Sequence, residues 1–433
     1  MDITQHEAGT HLPAKGLLRY VPAVWRDEWV GVLVFQLLLA TLLLRLLWLS
    51  QPQGSLIFDE VYYVNAARVI LGWEVPEGAP YFGAQVGQDP NKEHLPLAKL
   101  MIAGSMRLLG DNAFGWRLPS ILFGTAGVGL LYLLVRRLTR RPWLALFAAL
   151  IFSLDNLVFV HGRIATLDIF MMTFMLLGIY CYVAERPAMA GGAFALSTLC
   201  KINGVFGLVA IAVFEVLRFA LRPECRPRRW RSLSDLLVMA GTSIIFFLIV
   251  LWPIDRLWTS FDNPIDHAAN VYSFGINLRR DDVPQGIESL PWQWLVNEVP
   301  IPYFKQDINE VVDDNVVFSR PAIHFIGAMN PFVIAMLPLA LAYLLHAAFQ
   351  KREDFPLAML ALMAATYLPL LAMAAVAHRI SYIFYFLPVL PALCAGIAYF
   401  LLDLRLPRIL PIAYTAAVLL GFIVMFPFRT FFQ

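Results

Sequence analysis

Residues 29–49 read WVGVLVFQLLLATLLLRLLWL, an apolar run interrupted by one charge, Arg45. A helix needs about 20 mostly apolar residues to cross ~30 Å of hydrocarbon, so this run predicts a membrane span. It is too long for the core of a cleavable leader, and Leu-Trp-Leu-Ser-Gln at 47–51 offers no small-residue cleavage site. Ten further runs follow, at about 116–135, 143–160, 166–184, 188–201, 204–221, 235–253, 323–347, 356–377, 380–402 and 409–427. The 188–201 run is short and begins Ala188-Met-Ala-Gly-Gly192; the 143–160 run carries Asp155 and Asn156, where a break is expected.

Composition agrees. Hydrophobic residues make up 59% of the 433 and charged residues 15%, against roughly 25% charged in a soluble domain. Such a chain lacks the polar residues to coat soluble domains. Its low charge argues against disorder, its glycines lack a three-residue period, and four cysteines are too few for a disulfide scaffold. A net charge of +2 gives no reason to expect a nucleic-acid partner. The expected fold class is an all-α polytopic membrane protein of about 11 transmembrane helices, one domain over residues 1–433.

Orientation follows from Lys and Arg in short loops. Lys15, Arg19 and Arg26 precede the first span. Arg136, Arg137, Arg140 and Arg141, then Arg186, then Arg222, Arg226, Arg228, Arg229 and Arg231 follow later spans, as do Lys351, Arg352, Arg405 and Arg408. With eleven spans all these clusters share one side, expected to be the cytoplasm. Cys181 and Cys394 fall within spans, Cys200 at a span end and Cys225 in a cytoplasmic loop, so no disulfide is expected. Two long loops, about 50–115 and 254–322, then lie outside, and loops of that length usually carry function. Interfacial helices are expected in them, one of them over 95–110.

Three constellations lie on the outer side. In Ile57-Phe-Asp-Glu-Val-Tyr-Tyr63, adjacent carboxylates Asp59 and Glu60 precede an amphipathic stretch. Asp59 and Glu60 suit a helix start, or Asp59 a general base at the membrane surface. In Asp89-Pro-Asn-Lys-Glu-His94, the spacing of Asp89, Glu93 and His94 matches no strong ligand pattern, and no metal is expected. Asp155, Arg163 and Asp168 surround one external turn, where Arg163 and Asp168 are able to pair with each other. Lys99, Arg163, Lys201 and Arg379 are the cations beside spans on this face, suited to a phosphate or to lipid headgroups. Trp292 and Trp294 fit an interfacial aromatic belt or a platform for a sugar or peptide.

Seven pieces occur in one order: Phe58-Asp-Glu60, His94-Leu-Pro-Leu-Ala-Lys99, Leu154-Asp-Asn-Leu157 with Arg163 and Asp168, Cys200-Lys-Ile-Asn-Gly204, Pro291-Trp-Gln-Trp294, Gly327-Ala-Met-Asn-Pro331 and Arg379-Ile-Ser-Tyr-Ile-Phe-Tyr-Phe-Leu-Pro388. Over about residues 55–400 this order resembles the protein O-mannosyltransferase family of polyprenol-dependent, GT-C type membrane glycosyltransferases. The resemblance implies transfer of mannose, with inversion, from a polyprenyl-phosphate (dolichyl-phosphate-like) donor to a protein Ser or Thr hydroxyl. It implies Asp59 as catalytic base with Glu60 in support, and Arg163 and Arg379 at the carrier phosphate. Lys99 and Lys201 occupy motif positions and are grouped with the phosphate. His94, Asp155, Asp168, Trp292 and Trp294 are expected to support the site or meet the acceptor. No cofactor is implied.

The chain departs from the family pattern. Leu95 stands where the first proline of His-Pro-Pro-Leu is usual, and Gln285-Gly-Ile-Glu-Ser289 replaces a histidine-rich lead. The second external loop is too short for the extra sugar-binding-like domain of eukaryotic members. These departures suggest a bacterial or archaeal protein, expected in a bacterial inner membrane with its site on the external side. A lipid or glycan acceptor stays open, as do a non-catalytic subunit of a membrane complex and a transporter. A transporter would place ionisable groups at mid-membrane, whereas here they gather at one face.

Overall fold

The structure, a computed structural model, describes residues 28–222, 229–279, 286–312, 315–404 and 406–429. Lys15, Arg19, Arg26, Cys225, Arg226, Arg228 and Arg405 lie outside the described residues. Among the described residues, seventeen α-helices and one hairpin follow in chain order: α1 (Glu28–Leu46), α2 (Glu60–Leu71), α3 (Leu97–Leu109), α4 (Ala113–Thr139), α5 (Pro142–Ser153), α6 (Asn156–His161), α7 (Asp168–Val183), α8 (Pro187–Cys200), α9 (Phe206–Leu221), α10 (Arg229–Trp258), α11 (Pro264–Asn277), α12 (Pro291–Trp294), β1 (Ile301–Val312), β2 (Asn315–Gly327), α13 (Pro331–Ala335), α14 (Leu337–Gln350), α15 (Asp354–Val376), α16 (Leu390–Asp403) and α17 (Ile409–Met425). Among the described residues, six helical stretches are long and apolar enough to cross a membrane, and five shorter apolar helices accompany them. These eleven correspond in order to the eleven expected spans, and the chain is a multi-pass membrane protein.

The basic loops converge at one end of the bundle. Arg141 Nη1 meets Asp403 Oδ1 at 2.7 Å, Arg231 Nη2 meets Glu185 Oε2 at 2.5 Å, and Arg222 donates to Ala348 O and Lys351 O. The loop after α1, the α7 start and the α8–α9 junction gather at the other end. There Arg163 Nη1 donates to Arg45 O at 2.6 Å and Lys201 Nζ reaches Asp168 Oδ1 at 2.8 Å.

Local sequence explains the details. The short α8 is held by close packing: a Cβ on Gly191 would lie 2.3 Å from Met239 O of α10. Small residues let membrane helices approach this way. The 143–160 run breaks at Leu154. Asp155 caps α6, accepting from Leu157 and Val158 N–H at 2.9 and 3.2 Å, and its other oxygen accepts from Asn330 N–H at 2.8 Å. α3 has 13 residues, about 20 Å. Lys99 and Arg107 interrupt it, and it packs on α2 and α4.

The run read as a span over 323–347 divides differently. Its first residues complete β2, which pairs antiparallel with β1 from Ile301↔Gly327 to Val312↔Asn315; the helical part is α13 and α14. Ile323-His-Phe-Ile326 favours a strand, but its apolar side chains merge with the helix beyond Pro331 in any long hydropathy window.

Candidate functional site

A cavity of about 390 Å³ opens at the end of the bundle away from the basic loops. The loop after α1, α11, the α8–α9 junction and the segment before α16 form its walls. Asp59, Glu93, His94, Lys201, Arg379 and Tyr385 line it with polar groups, and Val271 and Leu278 add apolar wall.

Asp59 owes its position to its neighbours. Phe58 sits at φ 53°, a region costly for a bulky residue, and its ring stacks on Tyr303 at 4.0 Å. Glu60 is buried and fully engaged. Its oxygens accept from Arg117 Nε and Nη2, both at 2.8 Å, from Ile57 N–H at 2.7 Å and from Ala165 N–H at 2.8 Å. Arg117 also donates to Leu49 O and Ser55 O. This clasp ties the loop after α1 to α4 and to the turn before α7. Asp59 precedes α2, yet its side chain does not cap the helix. Its carboxylate makes no hydrogen bond among the described residues and faces the cavity. Burial raises its pKa to about 7, opposed by the Lys201 charge and aided by Asp168 and Glu93.

Lys201 is held by a carboxylate and two rings. It pairs with Asp168 and lies 5.1 Å from the ring centroids of both Phe384 and Tyr385. Arg379 Nε donates to Gly275 O and Nη1 to Ile380 O at 3.2 Å, with its guanidinium 5.6 Å from the Tyr385 ring. Among the described residues it has no carboxylate partner. Burial, together with the charges of Lys201, Lys99 and Arg379, holds His94 well below the usual histidine pKa, so it is neutral at pH 7. Its Nδ1 is buried without a partner.

The other sequence candidates lie elsewhere. Arg163 is not at the cavity; it is fully buried, donates to Arg45 O and Trp48 O, and lies 4.7 Å from the Phe428 ring. It does not pair with Asp168. Lys99 is also fully buried, held by Asp89 at 2.5 Å, Asn91 O at 2.6 Å and His94 O at 2.8 Å. It ties down the 89–94 loop and so positions His94. Glu60 and Asp155 have structural partners throughout. Trp294 is buried, donating to Ser289 Oγ at 2.9 Å, whereas Trp292 is exposed. Among the described residues no three of His, Cys, Asp or Glu are grouped to hold a metal. Tyr63, Asn203, Tyr382 and Tyr385 line the cavity without having been singled out. Asn203, Tyr382 and Tyr385 lie inside the quoted motifs, which were the available signal.

A family model described as dolichyl-phosphate-mannose-protein mannosyltransferase matches residues 93–252. The polyprenol-phosphate-mannose–protein mannosyltransferase of Mycolicibacterium smegmatis is 32% identical over 144 residues, 33% of this chain and 27% of that protein. Its Corynebacterium glutamicum counterpart is 23% identical over 391 residues, covering 75% of this chain and 73% of that one. The mycobacterial matches thus span about a quarter of those relatives' length. Among solved structures, the S. cerevisiae protein O-mannosyltransferase Pmt1-Pmt2 complex bound to the sugar donor superposes with a TM-score of 0.70. That match covers 92% of this chain and 90% of the other, at 13% identity. The chain has the GT-C fold. ArnT from Cupriavidus metallidurans bound to undecaprenyl phosphate shares the GT-C fold at a TM-score of 0.52 and 16% identity, covering 92% of this chain and 69% of ArnT. In sequence, the chain resembles the protein mannosyltransferases.

Proposed function

We propose that this protein transfers mannose from a polyprenyl-phosphate donor to a Ser or Thr hydroxyl of a protein, at the external face of a bacterial inner membrane. The observation that carries this reading is the free carboxylate of Asp59 in one cavity with Lys201 and Arg379. Asp59 takes the proton of the attacking hydroxyl. The hydroxyl oxygen forms its bond to the sugar C1 as the C1–O bond to the phosphate breaks, and the phosphate leaves with that electron pair. One displacement inverts C1. Arg379 and Lys201 stabilise the charge gathering on the phosphate. Apolar Val271 and Leu278 suit the first isoprene units of the carrier. Similarity in sequence to polyprenol-phosphate-mannose–protein mannosyltransferases supports mannose and a protein acceptor. The placement of basic loops at the opposite end supports an external site.

The test incubates the purified protein with polyprenyl-phosphate-[14C]mannose and either Ser/Thr-rich peptides or membrane glycolipids. Label in peptide is expected. Label in lipid alone would replace the acceptor, and no transfer to either would overturn the reading.

A further inference from the structure

A second cavity, of about 540 Å³, lies at the opposite end of the bundle. It sits where α4 and α7 finish, and four arginines line it: Arg136, Arg137, Arg140 and Arg186. Among the described residues no carboxylate lines it. Along α7 it lies about 22 Å from Asp168, at 1.5 Å per residue over the helix. It is therefore separate from the site above.

Several basic residues elsewhere at this end have partners inside the protein, whereas Arg352 and Arg408 are exposed. Arg141 pairs with Asp403, Arg218 with Glu215 and Asp354, and Arg231 with Glu185 and Asp235. Lys351 also pairs with Asp403, and Arg222 donates to Ala348 O, Lys351 O and Glu353 O. Arg137, Arg140 and Arg186 have no carboxylate partner among the described residues. Basic residues at helix C-termini favour the dipole, but that effect needs one cation per helix and no cavity. Here Arg137, Arg140 and Arg186, exposed and without a carboxylate partner among the described residues, line one hollow. Like charges held side by side repel, and an anion between them relieves that repulsion.

We propose that this cavity holds the phosphate headgroup of an anionic phospholipid of the cytoplasmic leaflet. The arginines supply bidentate donors for phosphate oxygens. Leu133 and Tyr180, which also line the cavity, offer an apolar wall beside which the glycerol and the first acyl carbons lie. The basic loops set this end at the cytoplasmic surface, where anionic headgroups are at hand. A lipid is favoured over a soluble phosphate because the cavity is built at the ends of two membrane helices.

The test compares the full-length protein with the R137Q/R140Q/R186Q and R137K/R140K/R186K variants, each in nanodiscs of phosphatidylcholine doped with phosphatidylglycerol. Lipid retained after mild detergent extraction is counted by native mass spectrometry. Wild type is expected to keep phosphatidylglycerol over phosphatidylcholine. The glutamine variant should lose that preference by on the order of 100-fold, from about 1 kcal/mol per arginine. The lysine variant should recover part of it, and 10 mM inorganic phosphate should not compete. Equal retention in wild type and the glutamine variant, or no preference between the two lipids, would overturn the proposal. Displacement by inorganic phosphate would overturn the lipid as the source and leave a soluble anion.

Discussion

Glu60 takes the guanidinium of Arg117 side-on, Oε1 to Nε and Oε2 to Nη2, both at 2.8 Å, with both side chains fully buried. The two adjacent carboxylates of the sequence thus have separate tasks: Glu60 holds the backbone, and Asp59 is left to the cavity. Breaking a buried pair from one side leaves a charge without compensation, at about 3–5 kcal/mol. Arg117→Ala should therefore unfold at a lower temperature in detergent by that equivalent, whereas Asp59→Asn should not.

The pH dependence of transfer follows from Asp59. Burial lifts its carboxyl to about 7. Below that pH it is protonated and unable to accept the hydroxyl proton. The single-turnover rate should rise about tenfold per pH unit on the acid side and level off above about 7. For stability the sign is opposite. A carboxyl raised in the fold stabilises it below the unfolded value of 3.8, and that contribution is lost as pH rises through about 7. The melting temperature of Asp59→Asn should fall less than that of wild type between pH 5 and 8.

Two arginines of the sequence motifs should behave differently. Arg379→Ala removes a cavity cation that has no carboxylate partner among the described residues, and donor affinity should fall at least tenfold along with the rate. Arg163→Ala removes donors to Arg45 O and Trp48 O and empties buried volume. It should cost about 2–5 kcal/mol of stability and leave the donor affinity of the remaining folded protein near wild type. Donor titration and thermal melts on both variants distinguish the two roles.

The tryptophan pair separates in the same manner. Trp294→Ala empties a core position and loses its bond to Ser289, and about 3–5 kcal/mol of stability should go with it. Trp292 is 48% exposed, and Trp292→Ala should stay within about 0.5 kcal/mol of wild type in the same melts.

The spans were legible because each is a local apolar run, and the break at Asp155 because a charge interrupts one. Asp59, which lines the cavity, was singled out because it stands beside a second carboxylate shortly after the first span and lies in an ordered set of motifs. The hairpin β1–β2 was not, since strand and helix share apolar residues across 315–350 and pairing with residues 301–312 is not written locally. The parts played by Arg163 and Lys99 were hidden for a related reason. A cation near a span end has the same local sequence whether it meets a phosphate or, as Arg163 does, a carbonyl 118 residues away. Arg117 was absorbed into an apolar span, although it anchors the residue beside the proposed base.

The most direct measurement is a single-turnover experiment on Asp59→Asn. Purified wild type and variant are loaded with polyprenyl-phosphate-[14C]mannose, bound donor is quantified, and a Ser/Thr peptide is then added. The variant is expected to bind donor within about twofold of wild type and to transfer 10²–10⁴ times more slowly, the usual cost of losing a positioned base. Wild-type transfer rates in Asp59→Asn would contradict the assignment of Asp59 as the base.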